Sequence, residues 1–448
     1  MHTFFEVQIV YTFRALYGYS FVYQWNLVFR YKESEMLPVI EGKTFYAEEM
    51  KGNRGRSLQT LFGRAERLKN VEVSGIRRLF ALGQDASDVV SLGIGEPDFS
   101  PPQHVLDAVT RAMSEGKTHY TASSGILELR EALAKKYGRE YRVHYNPENE
   151  ILVTVGATEA VAIALLALVN PGDEVLIPNP GFVCYKPAVL IAGGNPIEVP
   201  MLENNGFKPN LEAVTSLVTK KSRVIIINSP NNPTGSVLTH GELSELAKIA
   251  IENNLIVVSD EVYERIIYDG ASHYCLASLP GLRDRTIVVN SFSKTFAMTG
   301  FRVGCAVGPK ELISAMLLVQ QFLIASVNGP AQYAATAALE GSQEFVSQMV
   351  SEFDKRRRLI HRRLNEIDGF ECIIPKGAFY VFPSIHDLQI KSADLAQFIL
   401  EEAKVVTTPG SAFGSQGEGY LRMSYATSHD VINEALDRIE KKTRRLKK

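Results

Sequence analysis

The sequence predicts an α/β fold, a large domain on a mostly parallel sheet flanked by helices, followed by a smaller α+β domain. Three observations predict it. Six short β-rich apolar runs, at 151–155, 175–177, 224–227, 255–258, 286–289 and 303–307, alternate with helical segments such as 159–168 and 242–252. Such alternation is the pattern of buried parallel strands with helical crossovers. Beyond residue 308 the pattern changes to a long amphipathic helix over 345–367, strand-like stretches at 377–382 and 420–425, and helices at 392–403 and 431–441. At 448 residues the chain also exceeds what one compact core accommodates. The expected division is an extension over 1–60, an arm and part of the small domain over 61–100, a large domain over 101–335, and an interdomain helix with the small C-terminal domain over 336–448.

Taken in order, residues 1–31 are crowded with Phe, Tyr and Trp, but Glu6, Arg14 and Arg30 interrupt them. No run of roughly 18 uncharged apolar residues is left for a membrane span, and no signal-peptide pattern is present. The stretch reads as upstream sequence that is not naturally translated, with Met36 or Met50 as the natural start; an extra docking segment and a weak membrane-surface element are the alternative readings. Val71, Ile76, Leu79 and Phe80 space a helical arm over 63–83. After the apolar run 89–92, Gly93-Ile94-Gly95-Glu96-Pro97-Asp98-Phe99 breaks regular structure and exposes backbone N–H groups. This is either a plain turn or a place where the Gly95 N–H meets a carboxylate. His119-Tyr120-Thr121 precedes a helix entered through the Gly125 turn. Thr239 and Glu242 are spaced as a capping box for the helix over 242–252.

Ligands of parallel sheets bind beyond the carboxyl ends of the strands, and the unusual residues of this chain lie there. Gly156-Ala157-Thr158 follows the first run and aims helix N–H groups at an anion, a feature shared by many α/β turns. Phe182 sits at a loop tip after the second run. Asp260 ends the 255–258 run, where an unpaired carboxylate would be expensive. A cation such as a protonated ring nitrogen would satisfy it. Ser291-Phe292-Ser293-Lys294-Thr295 then holds one lysine between hydroxyls, with Arg302 eight residues on. A lysine amine condenses with an aldehyde once its pKa is lowered. Hydroxyls with a guanidinium suit a phosphate ester. Together they suggest pyridoxal phosphate (PLP); the alternative is a surface lysine beside a salt-bridged arginine. Arg422, in an apolar strand, is either salt-bridged or a clamp for a carboxylate.

Other chemistries find no motif. The G-x-x-x-x-G-K-[ST] loop is absent, as is a G-x-G-x-x-G opening a helix after a strand. The four cysteines have no C-x-x-C spacing, which argues against a zinc site or disulfide framework and fits a reducing cytoplasm. No metal is expected. A net charge of -2 with interspersed signs gives no case for nucleic acid or an anionic membrane. The arginines at 356, 357, 358, 362 and 363 read as the solvated face of the long helix. The basic run over 441–448 reads as a solvated helix end.

From about Leu61 to Leu446 the motifs resemble, in order, those of the class I/II, fold-type I aminotransferases. They are the S-L-G-x-G-E-P-D-F string, the N-P-T-G tetrad at Asn232, the S-x-S-K-x-F-x-x-x-G-x-R segment and the L-R-x-S-[YF]-A segment at Arg422. The wording is most similar to the branch of prokaryotic aspartate and archaeal aromatic aminotransferases. The resemblance implies PLP on Lys294. Ala157, Thr158, Ser291, Ser293 and Arg302 would hold its phosphate, and Tyr120 would reach that of the partner subunit in a homodimer. Phe182 would stack on the ring, Asp260 pair with its nitrogen, and Asn232 and Tyr263 meet its phenolic oxygen. Gly95, Asn232 and Arg422 would bind the substrate α-carboxylate. Ile94, Phe182, Phe379 and Tyr380 would line an apolar side-chain pocket. The implied reaction is ping-pong transfer of an amino group from an aromatic or broader range of L-amino acids, aspartate and alanine included, to a 2-oxo acid such as 2-oxoglutarate. A C–S β-lyase and a non-catalytic regulator on the same fold are the alternatives.

Overall fold

The computed structural model describes residues 5–14, 20–32, 35–41, 65–71 and 88–446. The chain divides into two units, residues 1–64 and 65–448. In the first, β1 (Phe5–Arg14), β2 (Ser20–Lys32) and β3 (Glu35–Glu41) form an antiparallel meander. Its register sets Phe5 opposite Phe29 and Asn26 opposite Glu41. Sequence reading assigned this extension no structure, yet its density of aromatic and β-branched residues suits strands. The possible start at Met50 and the expected arm over 63–83 lie outside the described residues, except for one turn at Glu66–Leu68.

The second unit is built on an eight-stranded sheet in the order β5-β12-β11-β10-β9-β6-β7-β8. Its members are β5 (Ile151–Thr154), β6 (Glu174–Asn179), β7 (Asn195–Leu202), β8 (Lys208–Pro209), β9 (Ser222–Asn228), β10 (Ile256–Asp260), β11 (Thr286–Ser291) and β12 (Gly304–Val307). Only β12 and the short β8 run against the others. The strands are buried along most of their length, as continuous apolar runs require when helices cover both faces. β7 escapes the sequence pattern because Pro196 and Pro200 interrupt it. Prolines are tolerated there because the strand lies near the sheet edge and its outer neighbour, β8, is only two residues long. The capping box is present at both ends, Thr239 with Glu242, and starts the helix His240–Glu252.

A smaller sheet, β13–β16–β15, joins Tyr380–Val381, Leu421–Ser424 and Thr408–Pro409. Beside it β14 (Val405–Val406) pairs with β4 (Val90–Ser91), which brings the Gly93–Gly95 turn against the C-terminal part of the chain. The helix Glu344–Glu366 buries Phe353, Ile360 and Leu364 against Phe379, Leu421, Met423, Ile432 and Leu436. Each fully buried side chain of this kind contributes roughly 1.5–3 kcal/mol.

The arginine run departs from expectation. Arg356 and Arg357 are buried, the first on Asp98 at 2.8 Å and the second on Asp269 at 2.9 Å and Asp354. They fall three and four residues after Phe353, inside the buried stripe, and acids brought from elsewhere make that position tenable. Among the described residues no helix is long and apolar enough to cross a membrane.

Candidate active site

The carboxyl ends of the parallel strands converge on one cavity of about 340 Å³. Ala157 and Thr158 reach it from the turn after β5 and Phe182 from the loop after β6. Asn232 comes from the loop after β9, Asp260 from the last residue of β10, and Ser291, Ser293 and Lys294 from the end of β11. Tyr263, Arg302, Gly95 and, from β16, Arg422 complete the expected set. Only Tyr120 lies apart, 91% exposed. Of the expected apolar lining, Phe182 and Tyr380 reach the cavity. Phe379 is buried beside Lys294, whose Nζ lies 5.8 Å from its ring centre, and Ile94 is 37% exposed and outside the lining.

Lys294 Nζ donates to the Gly95 carbonyl at 2.5 Å. Burial, then Arg422 and Arg302, push its pKa down to about 8. An amine there is far more available as the free base than a solvated lysine. Asp260 is buried and accepts from the Tyr185 hydroxyl at 2.6 Å and from the Val262 N–H at 3.3 Å. Burial pushes its carboxyl up to about 6 against those two bonds. Among the described residues it forms no ion pair, so it is poised to receive a cation.

At the phosphate end, Ser291 and Ser293 hydroxyls meet at 2.9 Å. Arg302, held in the left-handed region at φ 53°, lays its guanidinium along Gly156. A Cβ on Gly156 would come within 2.6 Å of Arg302 Nη2, so glycine is needed for this approach as well as for its φ of +75°. Arg302 donates only to the carbonyls of Thr299 and Val155. No carboxylate among the described residues pairs with it.

At the opposite end Arg422 is 3% exposed and again lacks a carboxylate partner among the described residues. Nη1 donates to Asn232 Oδ1 at 3.1 Å and Nη2 to the Gly93 carbonyl at 2.7 Å, while Nε has no partner. The rings of Tyr380 and Phe413 lie 4.4 and 4.9 Å from the guanidinium centre. Among the described residues the salt-bridge alternative finds no partner. A buried, singly orphaned guanidinium is a receptor for an anion.

PLP is tested by these observations. A cation without a counter-charge beside two hydroxyls fits its phosphate. A buried carboxylate without a cation fits its ring nitrogen, and a low-pKa amine between them fits its aldehyde. The residues match the group. A second cluster, Glu261, Glu264 and His273, has the ligand spacing of a metal site. Its oxygens are already engaged by Lys136 at 2.6 Å, Tyr141 at 2.5 Å, His273 at 2.9 Å and Ser259 at 2.8 Å. It is an ion-pair network with the Lys136 ammonium inside it.

Sequence reasoning missed Tyr185. Its signal was available, an aromatic with a polar tip three residues after Phe182, but only the fold shows that it reaches Asp260. The Tyr380 hydroxyl was overlooked because the residue was read as an apolar surface.

The family model for aminotransferase class I and II matches residues 87–439. The chain is 48% identical over 385 residues to the aspartate aminotransferase of Pyrococcus abyssi, covering 86% of this chain and 99% of that one. It is 46% identical over 379 residues to aromatic-amino-acid aminotransferase 2 of Thermococcus litoralis, covering 84% and 97%. Among solved structures, the aromatic aminotransferase from Pyrococcus horikoshii superposes with a TM-score of 0.78 at 47% identity, over 83% of this chain and 100% of that one.

Proposed function

The chain belongs to the class I and II aminotransferases, PLP-dependent enzymes, and from that premise we propose that it moves the amino group of an aromatic or broader range of L-amino acids, aspartate and alanine included, to a 2-oxo acid such as 2-oxoglutarate. The observation that carries the reading is Arg422, buried, without a carboxylate among the described residues and with Nε unpartnered, lining the same cavity as Lys294. Both substrates share an α-carboxylate, so one guanidinium serves both half-reactions. That is the structural requirement of a ping-pong scheme.

Ser291, Ser293, Arg302 and the N–H groups of Ala157 and Thr158 would hold the cofactor phosphate, and Phe182 would cover its ring. Asp260 would pair with the ring nitrogen, while Asn232 and Tyr263 would donate to the phenolic oxygen. When bound, PLP supplies an aldehyde for condensation with amines and a cationic ring that spreads the negative charge left at Cα. Arg422, Asn232 and the Gly95 N–H fix the α-carboxylate and so turn Cα towards Lys294. The Lys294 amine, with its pKa brought near the working pH, would take the Cα proton and pass it to the cofactor carbon that carries the aldehyde. Tyr185 holds the Asp260 carboxylate in place.

Tyr380 and Phe413 set their rings against the clamp and Phe182 lines the same cavity, which supports aromatic donors. The relatives named for aspartate support a broader range. Exposed Tyr120, with Phe322 and Leu323 at 84% and 58% exposure, supports a homodimer in which Tyr120 serves the partner's phosphate site. Cysteines that form no disulfide support a cytoplasmic location.

Initial rates measured over a grid of phenylalanine, tyrosine, aspartate or alanine against 2-oxoglutarate test the reading. Parallel double-reciprocal lines are expected. Intersecting lines, or ammonia released in place of an amino-acid product, would overturn it.

A further inference from the structure

Tyr380 touches both ends of the site. It is 1% exposed in β13, and its hydroxyl lies 2.8 Å from that of Tyr263. Its ring lies 4.4 Å from the Arg422 guanidinium. Its oxygen rests on Gly95 so closely that a Cβ there would come within 2.1 Å of it. Burial, first of all, raises the pKa of both phenols, so both keep their protons at working pH. One bond between the two oxygens uses one of the two protons, and the other must be directed elsewhere. Among the described residues Tyr380 has no acceptor except Tyr263. Its other polar neighbour, Arg422, offers only donors, and the Tyr380 hydroxyl makes no hydrogen bond to the Gly95 carbonyl, which accepts from Lys294. Both Tyr263 and Tyr380 line the cavity, but the Arg422 guanidinium lies against Tyr380 and opposes a free proton there, which leaves the outward proton to Tyr263.

We propose that Tyr380 is a positioning residue that donates to Tyr263 and so commits the Tyr263 proton to the cavity, while its ring carries the guanidinium of Arg422. The inference rests on the assignment of Tyr263 to the cofactor's phenolic oxygen. With Tyr380 donating, Tyr263 can act only as a donor there, and a hydrogen bond fed by a second one is polarised and strengthened. The hydroxyl therefore stabilises the anionic form of the phenolic oxygen, and the ring stabilises carboxylate binding. These are two separable parts of one side chain.

The test uses the PLP-loaded enzyme and two readouts other than turnover. One is the midpoint of the pH titration of its visible absorbance. The other is the dissociation constant of a non-reacting monocarboxylate, 3-phenylpropionate. Tyr380→Phe is expected to move the midpoint to higher pH by roughly half a unit to one unit, the value of one hydrogen bond. It should leave 3-phenylpropionate binding within about twofold, since the ring over Arg422 is kept. Tyr380→Leu should also weaken that binding by roughly 3–30-fold. The charged groups facing the pair, Arg422, Asp260 and Lys294, are the same in all variants.

In a Tyr263→Phe background the Tyr380→Phe change should leave the midpoint where Tyr263→Phe put it, because its path has been removed. An unmoved midpoint in Tyr380→Phe, or a shift that persists without Tyr263, overturns the proposal while the aminotransferase reading stands. A wild-type protein that acquires no visible band with PLP overturns both.

Discussion

Burial acts in opposite directions on the two groups at the centre of the site. It lowers the Lys294 ammonium to about 8 and raises the Asp260 carboxyl to about 6, because removal from water disfavours whichever form is charged. In the cofactor-free protein both shifts are stability statements. Between about pH 3.8 and 6 the folded state holds a proton on Asp260 that the unfolded chain has lost, so stability falls as pH rises through that window. Between about pH 8 and 10.5 the unfolded chain holds a proton that folded Lys294 has released, so stability rises with pH there. Asp260→Asn should therefore make the apoprotein more stable at pH 7 and flatten its urea-unfolding profile between pH 4 and 6, while weakening PLP retention. A variant profile that still falls across that window would assign the slope to another group. At this scale Asp260 and Arg422 were legible as charged residues in apolar strands, and Lys294 with the exposed Arg302 as an amine and a guanidinium in one hydroxyl-bearing segment. Tyr185 and the Tyr380 hydroxyl were not, because an aromatic in an apolar segment gives no sign of where its polar tip points.

Among the elements, the helix Glu344–Glu366 shows how periodicity can be right and the solvated face misjudged. Its apolar stripe is where the spacing of Phe353, Ile360 and Leu364 puts it, but Arg356 and Arg357 belong to that stripe. Arg357 is fully buried, stacks 4.6 Å from the Tyr268 ring and holds Asp269 and Asp354. Those partners sit 88 and 3 residues away in sequence, and only the nearer could be read from helix spacing. Asp269, with Arg357, Arg358 and Lys376 around it, is held well below the usual carboxylate range. Replacing Arg357 with Ala should destabilise the protein by about 1.5–3 kcal/mol, since it removes a fully buried side chain and its charge-assisted bonds while Asp269 and Asp354 stay solvated, read as a lower urea midpoint at unchanged slope. A loss below about 1 kcal/mol would mean the arginine behaves as the solvated residue its sequence neighbourhood suggested. The strands were legible where they are continuous apolar runs, and β7 was hidden by its two prolines.

Across the whole second unit, the site exists because two sheets meet there. The carboxyl edge of the eight-stranded sheet carries the cofactor residues, and β16 with the Gly93–Gly95 turn carries the carboxylate clamp. The alternation of strands and helices foretold the first sheet. The pairing of β4 with β14, which ties residues 90–91 to 405–406, could not be read from two short apolar runs so far apart. A homodimer adds a testable geometry. If Tyr120 serves the partner's site, Tyr120→Ala and Lys294→Ala proteins, each impaired alone, should regain activity when subunits are exchanged, since one of the two mixed sites then holds both native residues. Equal activity before and after exchange, with mixed dimers formed, would confine Tyr120 to its own surface. The central claim, that this cavity strips an amino group from an amino acid and keeps it, is tested most directly by the visible spectrum of the PLP-loaded protein. It is recorded before and after addition of single amino acids, with no oxo acid present. The visible band is expected to bleach stoichiometrically, fastest with aromatic amino acids, and to return on addition of 2-oxoglutarate. A band that survives every amino acid, or that persists while pyruvate and ammonia accumulate, would contradict the account.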